Sequence, residues 1–169
     1  MTGFPYPAGE YRYPGFRWLT GHPVLDALLT LWRDNQNWPE RRPPRYSEIG
    51  PLLLIPGCAN FVLARDPGGM RPPICDGLFP SAAVLLGLPR DFGGTDWRDK
   101  ARSRKVGTLV RKVARGQAAA RGMISAGPRT YNPGGPLVAL GVPLAPEPQR
   151  AAGRDRGVIL AVAWPVRGV

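Results

Sequence analysis

Apolar positions recur with two different periods along the chain. In the segment 22–38, Leu25, Leu28, Leu29 and Trp32 fall at i, i+3, i+4 and i+7, one face of a 3.6-residue helix. Asp26, Thr30, Arg33 and Asp34 take the other faces. Pro23 suits a first helical turn, where its missing N–H has no intrahelical partner. Pro39 ends the helix at about Trp38, because the residue before proline is pushed out of the α region. Near the other end the period becomes two. Val138, Leu140, Val142 and Leu144 alternate with Ala139, Gly141 and Pro143, and Val158, Leu160, Val162, Trp164 and Val166 alternate with Ile159, Ala161, Ala163 and Pro165. Two such strands joined by the polar stretch PEPQRAAGRDR read as an antiparallel hairpin with a long tip. The larger side chains of each strand face the core, and the small ones leave room for a covering helix or a partner.

The middle of the chain is punctuated by turn residues. After a hinge, WPERRPPRY, Ser47 is placed to cap a short helix. Residues 58–64, CANFVLA, are apolar enough for a buried strand, and Asp66-Pro67-Gly68-Gly69 is a turn. A second strand is expected over 70–75, interrupted by Pro72 and Pro73 and therefore at a sheet edge. A short helix follows Pro80 over 81–88. A longer one spans 97–120, capped by Thr95 or Asp96 and weakened by Gly107 and Gly116, with Val106, Leu109, Val110 and Val113 on one face. Residues 122–125 are a strand candidate. Helix, two strands, two helices and three strands predict an α+β domain with helices packed on an antiparallel sheet. Residues 1–21, aromatic and rich in Pro and Gly, read as a flexible arm that lays its rings on the domain or on a partner, and 22–169 as the domain.

In that order of elements, several short stretches stand at matching places: Leu31-Trp32-Arg33, Pro39-Glu40-Arg41-Arg42, Ser47-Glu48-Ile49 and Asn60-Phe61-Val62-Leu63, then Ile74, Gly77, Leu85-Leu86-Gly87 and Phe92-Gly93-Gly94, and Pro143-Leu144 at the end of the fourth strand. Over about 22–166 the chain thus resembles a divergent PAS domain of the short stand-alone bacterial kind. The resemblance implies a sheet of about five antiparallel strands with helices on one face, preceded by an amphipathic helix. It also implies a sensory or signalling-adaptor role exercised by protein–protein interaction, with a second copy or a signalling protein as partner. Domains of this family often hold a small apolar ligand between sheet and helices, although no residue here identifies one. Two departures fall on the second strand: Pro72 and Pro73 interrupt it, and its usual aromatic-Arg start is reduced to Met70-Arg71.

Composition changes the picture mainly through charge. The formal net charge is +11, and between 97 and 121 nine basic residues stand against Asp99 alone. Arg104, Lys105, Arg111, Lys112 and Arg115 are the candidate anion-binding face of the long helix. Read as function, that face binds nucleic acid weakly and non-specifically, which is the alternative to the adaptor role. Read blandly, it is a solvated Arg-rich surface. Leu25, Leu28, Leu29 and Trp32 are likewise the candidate self-association face, against the bland reading of a helix packed on its own domain.

Candidate chemistry is sparse. His22 is the one histidine and precedes a helix, a poor place for a catalytic base or haem ligand. Cys58 and Cys75 lack a CxxC partner, so no metal site is expected. Cys58-Ala59-Asn60-Phe61 is not the Asn-Cys-Arg-Phe-Leu-Gln run of flavin photosensors, and no cofactor is expected. The 12 acidic residues are scattered without a pair placed for acid–base work, which ranks a small enzyme last. No apolar run reaches the roughly 20 residues of a membrane span, and 1–20 lacks a signal-peptide core. A cytoplasmic location is the expectation.

Overall fold

The structure, a computed structural model, describes residues 22–37, 42–51, 60–88, 101–147 and 156–165. The arm expected over 1–21, Cys58, the loop 89–100 with its caps Thr95 and Asp96, and the tip 148–155 lie outside the described residues.

The elements are α1 (Pro23–Asp34), α2 (Tyr46–Ile49), β1 (Phe61–Asp66), β2 (Ile74–Leu78), α3 (Pro80–Leu86), α4 (Ala101–Gly116), β3 (Ala120–Ser125), β4 (Pro136–Pro143) and β5 (Arg156–Ala163). The five strands form one open antiparallel sheet in the order β2-β1-β5-β4-β3. The chain is α+β, as its pattern predicts.

The sheet is buried on both faces. Val62, Ala64, Ile124, Leu137, Ala139, Val158, Leu160 and Val162 pack with α3 and α4 on one side. Phe61, Leu140, Val142, Ile159, Ala161 and Ala163 pack with α1 and Ile49 of α2 on the other. Helices on one face and an N-terminal amphipathic helix were the expectation, with room on the other face for a covering helix or a partner, and α1 is that covering helix. The reason for the second layer lies in β4 and β5, whose large and small residues complement each other across the register. Leu140 stands opposite Ala161, Val162 opposite Ala139, and Leu160 opposite Gly141. Each face therefore has an apolar surface of its own to cover. At Gly141, α4 reaches the strand directly: a Cβ there would lie 2.7 Å from Val113 Cγ2 and 2.8 Å from Leu160 Cδ2. Helix and sheet touch at this point, with no room for a ligand between them.

Several boundaries move for local reasons. α1 ends at Asp34 instead of Trp38, where its apolar stripe runs out. Asn35 Nδ2 donates to the Leu31 carbonyl at 2.8 Å, and the backbones of Asn37 and Arg42 pair to turn the chain back. Arg33, expected on an outer face, is fully buried; its Nε lies 3.3 Å from Asp34 Oδ1, and its charge suits the C-terminal end of the helix dipole. Ser47 does not cap α2. Arg45 is the N-cap without a side-chain bond, and Ser47 instead offers its N–H and hydroxyl to Glu147 at 2.8 and 2.9 Å. β2 begins at Ile74, past Pro72 and Pro73, since proline cannot donate into a ladder. α3 closes on Gly87 in the left-handed region (φ 67°), a Cβ-free position for a helix end. α4 ends at Gly116 rather than near 120, and the chain enters β3 two residues earlier than expected.

Candidate functional site

The self-association stripe is part of the protein's own core. Leu25, Leu28, Leu29 and Trp32 are all buried against β4 and β5, and Trp32 Nε1 donates to the Pro143 carbonyl at 2.7 Å. Their apolar area is used inside the monomer, which corrects the expectation that it stands open to a second copy. His22 fastens the start of the same helix: its Nε2 donates to the Trp164 carbonyl at 2.7 Å. The Trp164 ring packs against exposed Tyr131 at a tilt of 42°, with centroids 4.4 Å apart.

The candidate anion-binding face divides in two. Arg111 Nη2 donates to the Arg71 carbonyl at 2.9 Å, and Arg115 gives Nε to Asp66 Oδ2 at 3.1 Å and Nη2 to the Gly69 carbonyl at 2.7 Å. These two guanidiniums hold the β1–β2 turn. Asp66, 2% exposed, also accepts the Gly68 N–H at 3.1 Å, closing the turn from within. Lys105 and Lys112 are exposed on the other flank of α4; the side chain of Arg104 lies outside the described residues. The acidic side is as informative as the basic one. From 101 to 146 the chain has eight basic residues and no Asp or Glu.

A groove of about 660 Å³ opens on the α1 side of the sheet, beyond α2. Leu63, Ala64, Leu144 and Gly157 supply apolar wall, Tyr46 a half-exposed ring, and Arg65, Asp76 and Glu147 a charged rim. Arg65 Nε and Asp76 Oδ1 pair at 2.9 Å, and Glu147 receives Ser47. Nearby, Glu48 accepts Asn37 Nδ2 at 3.0 Å and Arg42 Nη2 at 3.2 Å. The Asn37 hydrogen bond, with Arg42 and Arg45 beside it, holds this carboxyl below its ordinary range against a smaller effect of burial. The groove accommodates an apolar side chain or small apolar molecule; its rim already has partners within the fold. None of its residues stood out in the sequence as a site. They come from five separated segments, and only the side-chain alternation around Leu63 and Leu144 hints at a wall.

Cys75 is fully buried in β2, and burial pushes its thiol up to about 11, so it behaves as a small apolar side chain. Among the described residues no group of three or more His, Cys, Asp or Glu is placed to hold a metal ion, and no helix is long and apolar enough to cross a membrane. Compared with family models, curated proteins and solved structures, the chain matches none of them.

Proposed function

We propose that the chain is a cytoplasmic PAS-like domain with a sensory or signalling-adaptor role, acting through protein–protein contact. The observation that carries this reading is the coincidence of element order and punctuation. β2 begins at Ile74 and contains Gly77, α3 ends on a left-handed Gly87, α4 crosses the sheet, and β4 stops at Pro143. Ile74, Gly77, Gly87 and Pro143 are among the residues that carry the resemblance, and the elements join in one antiparallel sheet, which supports the reading. Two features favour binding over turnover. The one histidine serves a helix start, and the buried Cys75 is a poor nucleophile at neutral pH. The nucleic-acid alternative is weakened because Arg111 and Arg115 already hold a turn. Should a small apolar ligand take part, the groove at Leu63 and Leu144 has room for it, whereas the contact at Gly141 leaves none.

The test is to purify the tagged full chain from its own host and then rebuild any protein complex from pure components. The expected result is a stoichiometric complex in which the chain alters the partner's signalling output. Sequence-selective retention of DNA or RNA at physiological salt, with no protein partner, overturns the reading.

A further inference from the structure

The two edges of the sheet are not equivalent, and the difference points to an occupant. β3 runs for six residues in continuous register with β4, without a proline or bulge. The Ala126 N–H donates to Gly135 and the Ala126 carbonyl accepts Gly134, which places the even-numbered residues of this strand on the β4 side of the ladder. Met123 and Ser125 therefore turn their N–H and C=O groups away from β4. Among the described residues no strand meets them. The edge also has two distinct sides. On the α1 side stands Met123, 57% exposed, because α1 packs chiefly over β4 and β5. On the α4 side, Leu109 reaches to 3.8 Å from the place a Cβ on Gly122 would take. Lys105 and Lys112 are i−4 and i+3 from Leu109, hence on the flank of α4 that overhangs this edge, and both are exposed. They stand two turns apart, roughly 10.5 Å along the axis. No acidic residue between 101 and 146 offsets them.

We infer that β3 is a docking edge for an extended acidic segment of a partner protein, added as a sixth antiparallel strand with acidic side chains toward Lys105 and Lys112 and apolar ones toward Met123. The inference deepens the adaptor reading and rests on it. Backbone groups on the edge supply the hydrogen bonds, and alternation of side chains supplies the selectivity. A second copy of this chain is a poorer occupant, since it too bears a formal charge of +11.

The probe is a fluorescein-labelled ten-residue peptide of alternating Val and Glu, titrated with the full chain at pH 7.5 and followed by anisotropy. Binding is expected, weakening steeply as salt rises. A Val and Lys peptide should bind at least tenfold more weakly, as should a Val and Glu peptide interrupted by proline. Met123→Pro deletes an N–H that points away from β4, so the internal ladder survives while affinity drops at least tenfold. The exposed pair Lys105→Glu and Lys112→Glu tests the same edge without touching the strand and is expected to cost at least tenfold. Equal affinity for the two charge types, or full binding by a folded Met123→Pro variant, overturns the inference. A DNA duplex bound more tightly than the peptide and equally well by Met123→Pro overturns it in favour of a polyanion surface. If the peptide fails while the chain still forms its protein complex, the docking edge is wrong and the adaptor reading stands. If neither binds, both are wrong.

Discussion

β2 and β3 close the same sheet on opposite sides and are finished in opposite ways. β2 is preceded by Pro72 and Pro73, bulges at Asp76, and ties Asp76 to Arg65 of its neighbour. The turn that leads into it is held by Arg111 and Arg115 of α4 and by the buried carboxylate of Asp66. β3 has neither a proline nor a bulge. Prolines, bulges and local ion pairs are how proteins stop an edge from recruiting another strand. One edge is thus blunted by the fold itself and the other is regular, bordered by lysines and one exposed methionine. The same helix serves both. Its arginine flank is committed to the β2 side, and its lysine flank is left over β3.

Five changes break or sharpen this contrast. The largest effect is expected at the layer over the central strands β4 and β5, which stand between the two edges. Leu28→Ala removes a fully buried side chain from the α1 layer and should cost about 2–5 kcal/mol in denaturant unfolding. Hydrogen exchange should rise in β2 and β3 alike. If instead the variant keeps its stability, the stripe is not core.

Asp66→Ala is aimed at the β2 side alone. It takes away the acceptor of Arg115 and of the Gly68 N–H, for a loss of about 1.5–3 kcal/mol. Exchange protection should fall across β1 and β2 and stay unchanged in β3. Gly141→Ala lies between the edges. Its methyl group meets Val113 and Leu160, so α4 must shift, at a cost of about 1–3 kcal/mol. Met123→Pro leaves the β4 ladder whole but pulls an extended backbone toward the φ of proline, so a loss of about 1 kcal/mol is expected. A thermal melt well below wild type would mean that the Met123 N–H faces inward.

The smallest effect concerns pH and a carboxylate on α2, outside the sheet. The folded value of Glu48 is lowered from 4.5, chiefly by Asn37 and then by Arg42 and Arg45. The stabilisation it brings is therefore complete above the ordinary carboxyl range and disappears as pH falls through the lowered value. Glu48→Gln should melt slightly below wild type at pH 7, and the gap should close in acid. A gap that widens in acid would contradict the assigned hydrogen bonds.

The amino-acid sequence alone was enough for the α1 stripe, the alternation of β4 and β5, the turn at Asp66-Pro67-Gly68-Gly69 and the α+β class. These depend on local periodicity and turn chemistry, which a chain displays without folding. The absence of acidic residues from 101 to 146 was equally open to view. Tertiary structure alone decided what the patterns face. Leu25, Leu28, Leu29 and Trp32 would look the same on a helix awaiting a partner, and only the large-to-small pairing of β4 with β5 creates the second apolar face that covers them. Arg111 and Arg115 carry the same charge as Lys105 and Lys112. Asp66 is 49 residues from Arg115 along the chain, and their contact sorts one flank from the other. Periodicity tells which residues share a side of an element. What lies against that side is set by strand register and by loops that bring distant residues within hydrogen-bond reach.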